Sequence, residues 1–196
     1  DGLKTMNKFK TNTIQIKLGK NLSESLKIKI NARYYTQLID NIAPNSLSGE
    51  TFTSEDNINF IISHQADKIR TDFEVYFSSY FGDEFLDDEQ GDRFSESFYD
   101  QIFLKPEIKT VYKINNKKEF VFGLGNEYET LNRTYFEIEP KQNSPFIYFQ
   151  YDYNPNKKIN LLFGGRYDRF NEYESQISPK FSGIVEFDKY NLCLLY

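Results

Sequence analysis

Strict alternation is the feature that most constrains this chain. In residues 25–36, Leu26, Ile28, Ile30, Ala32 and Tyr34 fall on one side of an extended backbone. Lys27, Lys29, Asn31, Arg33 and Tyr35 fall on the other. A strand satisfies period two and a helix does not. The pattern recurs along the chain. Ile14, Ile16 and Leu18 oppose Gln15 and Lys17, and Phe73, Val75, Phe77 and Phe81 oppose Asp72, Glu74, Tyr76, Ser78 and Tyr80. Phe120, Phe122 and Leu124 oppose Glu119, Gly123 and Glu127, while Ile147, Phe149, Tyr151 and Tyr153 oppose Gln150 and Asp152. Even the glycine-bearing stretch LLFGGRYD obeys it, with Leu161, Phe163, Gly165 and Tyr167 opposite Gly164, Arg166 and Asp168.

Alternation and turn residues together place about ten strands, near 11–18, 25–36, 57–64, 68–81, 98–114, 118–130, 145–153, 158–170, 179–188 and 190–196. Several exceed the usual globular length of about 5–6 residues. They match the roughly 9–11 tilted residues with which a strand crosses a bilayer. Connections at 19–24, 65–67, 115–117, 154–157 and 188–189 are short, whereas those at 37–56, 82–97, 131–144 and 171–178 are longer and polar. Short turns on one side and long loops on the other are the layout of an outer-membrane barrel. The expected fold is therefore all-β: an antiparallel meander of about ten strands, part of a large transmembrane β-barrel. Residues 1–196 are expected to form a single partial barrel domain. The parity of the connections puts both chain ends on the long-loop side, which leads to the expectation of an internal piece of a larger barrel. The start, DGLKTMNKFK, has no apolar central region of the signal-peptide kind.

Composition narrows the function. There are 15 Tyr and 19 Phe but no Trp, an aromatic load suited to surfaces that are half apolar and half wet. A formal net charge of -5 speaks against a nucleic-acid surface, so no nucleic-acid partner is expected. One Cys and one His exclude a disulfide within the chain and a Cys/His zinc site.

Each tempting catalytic feature has a plainer reading. Gly123-Leu124-Gly125 and Gly164-Gly165 lie inside strand patterns, with no helix after them to cradle a phosphate. Their expected role is to relieve crowding in a curved sheet. His64, where a strand meets a short turn, is expected to be solvated. Cys193 has no positioned base. The acidic segment at 81–94 carries Asp83, Asp87 and Asp88, candidates for a cation or ligand contact in a loop, but its spacing does not match an EF-hand. The motifs at 21–23 and 132–134 fit the glycosylation pattern, which carries no weight if the chain is bacterial. No enzyme, cofactor or resident metal is expected. The wet faces carry both signs of charge, which suits a wide lumen holding water or a plug. Arg33, Glu74, Arg166 and Asp168 are the candidate plug-facing or lumen-facing residues.

The run GGRYDRFNEYESQISPKFSGIVEF resembles the mid-barrel region of TonB-dependent outer-membrane receptors. In that family a strand ending in Arg-Tyr-Asp is followed by a loop and a Ser-Pro-Lys or Ser-Pro-Arg entry to the next strand. Here those are Arg166-Tyr167-Asp168 and Ser178-Pro179-Lys180. FVFGLGNEYETLNRTYF is similar to the family's preceding strand, and SPFIYFQYDYNPNKKINLLFGG to the hairpin between. The resemblance covers most of residues 98–196; the family's plug domain and energy-coupling box have no counterpart in the sequence. It implies a piece of a bacterial outer-membrane receptor importing a scarce nutrient, such as siderophore-bound iron, haem or cobalamin. The implied partners are outer-membrane lipid, a plug domain, the TonB energy-coupling complex and a metal chelate or vitamin ligand. Two rivals are a complete small outer-membrane barrel and a soluble, secreted all-β binding module.

Overall fold

A computed structural model describes residues 8–42, 48–88, 91–134, 137, 140–187 and 190–195. Ten strands follow one another: β1 (Lys8–Asn21), β2 (Leu26–Ile42), β3 (Ser48–Ala66), β4 (Ile69–Asp87), β5 (Arg93–Asn115), β6 (Lys118–Arg133), β7 (Lys141–Asn156), β8 (Ile159–Asp168), β9 (Gln176–Glu186) and β10 (Asn191–Leu195). They form one sheet in sequence order, every neighbouring pair antiparallel, with β1 and β10 at its edges. This is the expected meander.

Cross-strand register keeps the two faces distinct. Ile16, Ala32, Ile58, Phe77, Leu104 and Tyr128 lie in one row across six strands. Gln15, Arg33 and Asn57 lie in a row on the opposite face. The burial of these faces inverts that of a soluble protein. Phe122, Leu124, Phe149 and Phe163 on the apolar face are exposed, at 46%, 46%, 57% and 42%. On the polar face Asp72, Asp168 and Ser144 are buried, at 5%, 8% and 1%. Side chains crowd on the inside of a curve and splay on the outside, so the polar face is the concave one. A sandwich would cover the apolar face with a second sheet, and the described residues form only one.

The apolar band has the width of a membrane. On β5 the convex face reads Ile102, Leu104, Pro106, Ile108, Thr110 and Tyr112, with Asp100 beyond. On β4 it reads Thr71, Phe73, Val75, Phe77, Ser79 and Phe81, with Asp83 beyond. Each run covers about 11 residues, the span of a tilted bilayer strand. Aromatics gather at its borders. Phe120 meets Tyr151 at 4.6 Å between ring centroids near the short turns, and Phe52 meets Phe81 at 6.5 Å toward the long connections. Such girdles mark the interfaces of barrel proteins.

The strands run further than alternation suggested. Residues 37–42 and 48–56, expected as loop, are paired in β2 and β3, and 82–87 and 93–97 belong to β4 and β5. Likewise 131–133 and 141–144 belong to β6 and β7. Beyond the apolar band polar residues occupy both faces, so the hydrophobic period vanishes while the backbone ladder continues. Residues 43–47, 89–90, 135–136, 138–139 and 188–189, which fall in expected loops and a turn, lie outside the described residues, as do residues 1–7 and 196. The alternation of connections survives. Asp67-Lys68, Asn116-Lys117 and Lys157-Lys158 are tight two-residue turns at one end of the sheet, and the opposite end carries the wider gaps.

Candidate functional site: the concave wall

The concave face of β5–β8 carries a cluster of charge built around one ring. Phe146 on β7 is 4% exposed. It pairs directly with Gly125 of β6, and Tyr148 pairs with Gly123. A Cβ added at either glycine would overlap the facing ring, and at Gly125 it would also meet the Pro106 carbonyl. The two glycines thus let two aromatic rings lie down across β6. Crowding is relieved as expected, and the crowding groups are these rings.

Charged groups close over the seated rings. The Arg166 guanidinium carbon lies 4.0 Å from the Phe146 ring centroid and Lys105 Nζ lies 5.2 Å from it. Arg166 Nε donates to Asp168 Oδ1 at 2.8 Å, and its Nη2 donates to Glu127 Oε1 at 3.0 Å. Lys105 pairs with Glu107 at 3.1 Å and reaches Glu127 at 3.8 Å. The Tyr148 hydroxyl donates to Glu107 Oε1 at 2.5 Å. Four strands are therefore tied through one ionic and aromatic hub. The arrangement compensates buried charge with partners and fixes the rotamers of long side chains.

The other candidates have partners of their own. Arg33 on β2 pairs with Glu55 of β3 at 2.7 Å. Asn57 donates to the same Glu55 oxygen, and the Tyr76 hydroxyl donates to Asn57. Glu74 accepts from Asn59 at 2.8 Å, while the buried Asn59 Oδ1 has no partner. Thus Arg166 and Asp168 are brought together, and Glu74 borders their hub, opposite Glu107 and lining a recess with Lys105 and Glu127, whereas Arg33 is held elsewhere on the wall. Near the short turns Arg70 grips the buried Asp72 with two hydrogen bonds, of 3.0 and 2.7 Å.

The acidic segment is organised differently. Asp87 faces Arg93 at 3.8 Å, and Arg93 stacks on Phe85. Asp88 Oδ1 accepts from the Asp92 backbone N–H, in a turn completed by Gly91 at φ 83°. Asp83 lies within β4, opposite Phe52. Among the described residues no group of three or more His, Cys, Asp or Glu side chains is placed to hold a metal ion. Glu89 of this segment lies outside the described residues. His64 is exposed within β3, and Cys193 is exposed on β10.

Sequence reasoning missed Phe146. Its parity places it with Tyr148 on the wet face, where an aromatic ring needs a seat. The signal was available in Gly123 and Gly125, which register sets opposite the two rings.

Solved structures with the same fold are transport proteins. The chain is similar to the RagAB peptide importer in its "open-open" state, with a TM-score of 0.63 and 10% identity over 94% of this chain and 30% of that one. Against the "closed-closed" state the TM-score is 0.60 at 9% identity, over 91% and 30%. It also matches the siderophore receptor PirA from Pseudomonas aeruginosa, with a TM-score of 0.49 and 12% identity over 93% and 40%. This chain therefore spans about a third of the length of these proteins. No family model and no curated protein matches it. The fold is thus an all-β antiparallel meander of ten strands, consistent with part of a large β-barrel and shared with a stretch of the RagAB importer structures.

Proposed function

We propose that this chain is wall from a bacterial outer-membrane receptor of the TonB-dependent kind, which imports a scarce nutrient. The observation that carries the reading is the inversion of the two faces: an exposed apolar band of bilayer width on the convex side, and buried, paired charge on the concave side. Residues 1–196 then act as one partial barrel domain, with lipid as the partner of the convex face. A plug domain of the whole protein is the partner of the concave one. Arg33, Glu74, Arg166 and Asp168 are the candidate contacts of that lumen with the plug. Energy comes from the TonB complex, and the imported ligand is a metal chelate or vitamin: siderophore-bound iron, haem or cobalamin.

A second ligand class, peptides, is favoured by the likeness to the RagAB importer. One comparison tests both. Cells with and without the gene carrying this chain are supplied with ferric siderophores, haemin, cyanocobalamin or short peptides as the limiting nutrient. The reading expects energy-dependent uptake of one class to disappear with the gene. Unchanged uptake of all four, or a protein found outside the outer membrane, contradicts it.

A further inference from the structure

Away from the ionic hub, toward the long connections, the concave face holds a recess of about 490 Å³. That lies within the range of small-molecule sites. Its floor is Gly82, in a row that reads Thr53, Gly82, Tyr99 and Arg133 across β3–β6. Gly82 differs from the glycines under the hub. A Cβ here would make ordinary contacts, 3.5 Å to the Tyr80 ring and 3.9 Å to Thr53 Cγ2. Packing does not demand glycine at this position; what glycine does is leave the space empty.

The walls are preorganised. Tyr80 and Tyr99 meet edge to face, 5.4 Å apart with planes at 76°. The Tyr99 hydroxyl donates to Gln101 at 2.8 Å, and the Gln101 amide donates in turn to Glu129. The Arg133 guanidinium carbon stands 5.8 Å from the Tyr99 ring centroid. Tyr99 thus has three partners before any ligand arrives. Thr53 adds a hydroxyl to the rim, and the charges that line the recess are Asp83, Glu84 and Arg133.

From this geometry we infer that the recess binds a neutral sugar ring. A pyranose has an apolar C–H face, which packs on aromatic rings, and an equator of hydroxyls that both donate and accept. Fixed tyrosines beside hydroxyl, amide, carboxylate and guanidinium groups match both features. Sugar hydroxyls donate to the carboxylates and accept from the guanidinium, and rigid side chains lower the entropic cost of binding. The inference rests on the reading of the concave face as a lumen and specifies one group that this lumen recognises.

The test uses the protein purified from outer membranes in detergent, with a trifluoromethyl-phenylalanine at position 99 as a ¹⁹F reporter. The probes are maltose, lactose and chitobiose at millimolar concentration, with glycerol as the control for non-specific polyol effects. The expected result is a saturable shift for at least one disaccharide, absent with glycerol and weakened about tenfold or more by Gly82→Leu. A Cβ has room at that floor, and the circular dichroism of the variant checks that the larger side chain keeps the fold. An unlabelled protein with native Tyr99, titrated by calorimetry, guards against a defect caused by the label. No saturable response in either assay overturns the inference, as does binding that Gly82→Leu leaves intact. Failure of the receptor reading is separable: uptake or membrane location would fail while sugar binding to the purified protein persisted.

Discussion

Arg166 lies over the ring of Phe146, its guanidinium carbon 4.0 Å from the centroid, and the ring itself lies over Gly125. A cation, a ring and a missing side chain from three adjacent strands form one stack. The stack explains why a phenylalanine can be 4% exposed on the polar face of a sheet.

Replacing the seat disturbs the stack from below. Gly125→Ala puts a methyl where the Phe146 ring lies and beside the Pro106 carbonyl, which cannot rotate away. The expected cost is about 1–3 kcal/mol, the usual range for overpacking. Gly82→Ala, whose methyl would make only ordinary contacts with Tyr80 and Thr53, is expected to cost much less. Urea unfolding of the two variants in the same lipid vesicles checks the contrast.

Removing the cap leaves charge behind. Arg166→Met strips the guanidinium from Asp168, whose side chain is 11% exposed, and from Glu127. A loss of about 2–3 kcal/mol is expected. The double variant with Glu127→Gln should lose less than the sum of the singles, because the two side chains share one interaction. A double-mutant cycle by denaturant unfolding measures that coupling.

The fold and the hub were unequally legible in the sequence. Ile28, Ile30, Phe120 and Phe122 gave away their faces because the two sides of the sheet carry opposite chemistry on alternate residues. Strand ends did not show, since Thr53, Ser54, Glu55 and Asp56 are polar at every position and carry no period. The charges of the hub were visible singly, and Arg166 with Asp168 could be paired by their spacing on one strand. That Glu127 and Lys105 join them depends on cross-strand register, which fixes neighbours that lie tens of residues apart. Phe146 stayed hidden because an apolar residue at a wet position signals nothing until the glycine opposite it is known.

The acidic segment makes a prediction of its own. Asp87 faces Arg93 and Asp88 caps a backbone N–H, so their carboxylates do not converge on a common point. Adding calcium to the purified protein, or removing it with a chelator, is expected to leave amide exchange around Gly91 unchanged. Protection that appears only with calcium would give this segment a cation-binding role.

Charge on the convex face should be costly where the same charge on the concave face is not. Leu124→Arg puts a guanidinium inside the apolar band, level with Phe73 and Ile108, where the cost rises toward the about 2–4 kcal/mol of a bilayer midplane. Gln150→Arg, on the wet face of the adjacent strand, is expected to be tolerated within about 1 kcal/mol, the range of charged changes away from lipid. The yield of folded protein in outer membranes separates the two.

Spin-label accessibility tests the two-faced wall most directly. With Cys193→Ser in place, a nitroxide is attached in turn at positions 122, 163, 150 and 180 of the membrane-inserted protein. Relaxation is then compared in the presence of oxygen, which partitions into lipid, and of a polar nickel chelate, which stays in water. The account predicts that labels replacing Phe122 and Phe163 respond to oxygen and not to nickel, and that labels replacing Gln150 and Lys180 respond to nickel. A label at position 122 or 163 as open to nickel as one at 150 would contradict it, because the convex face would then meet water.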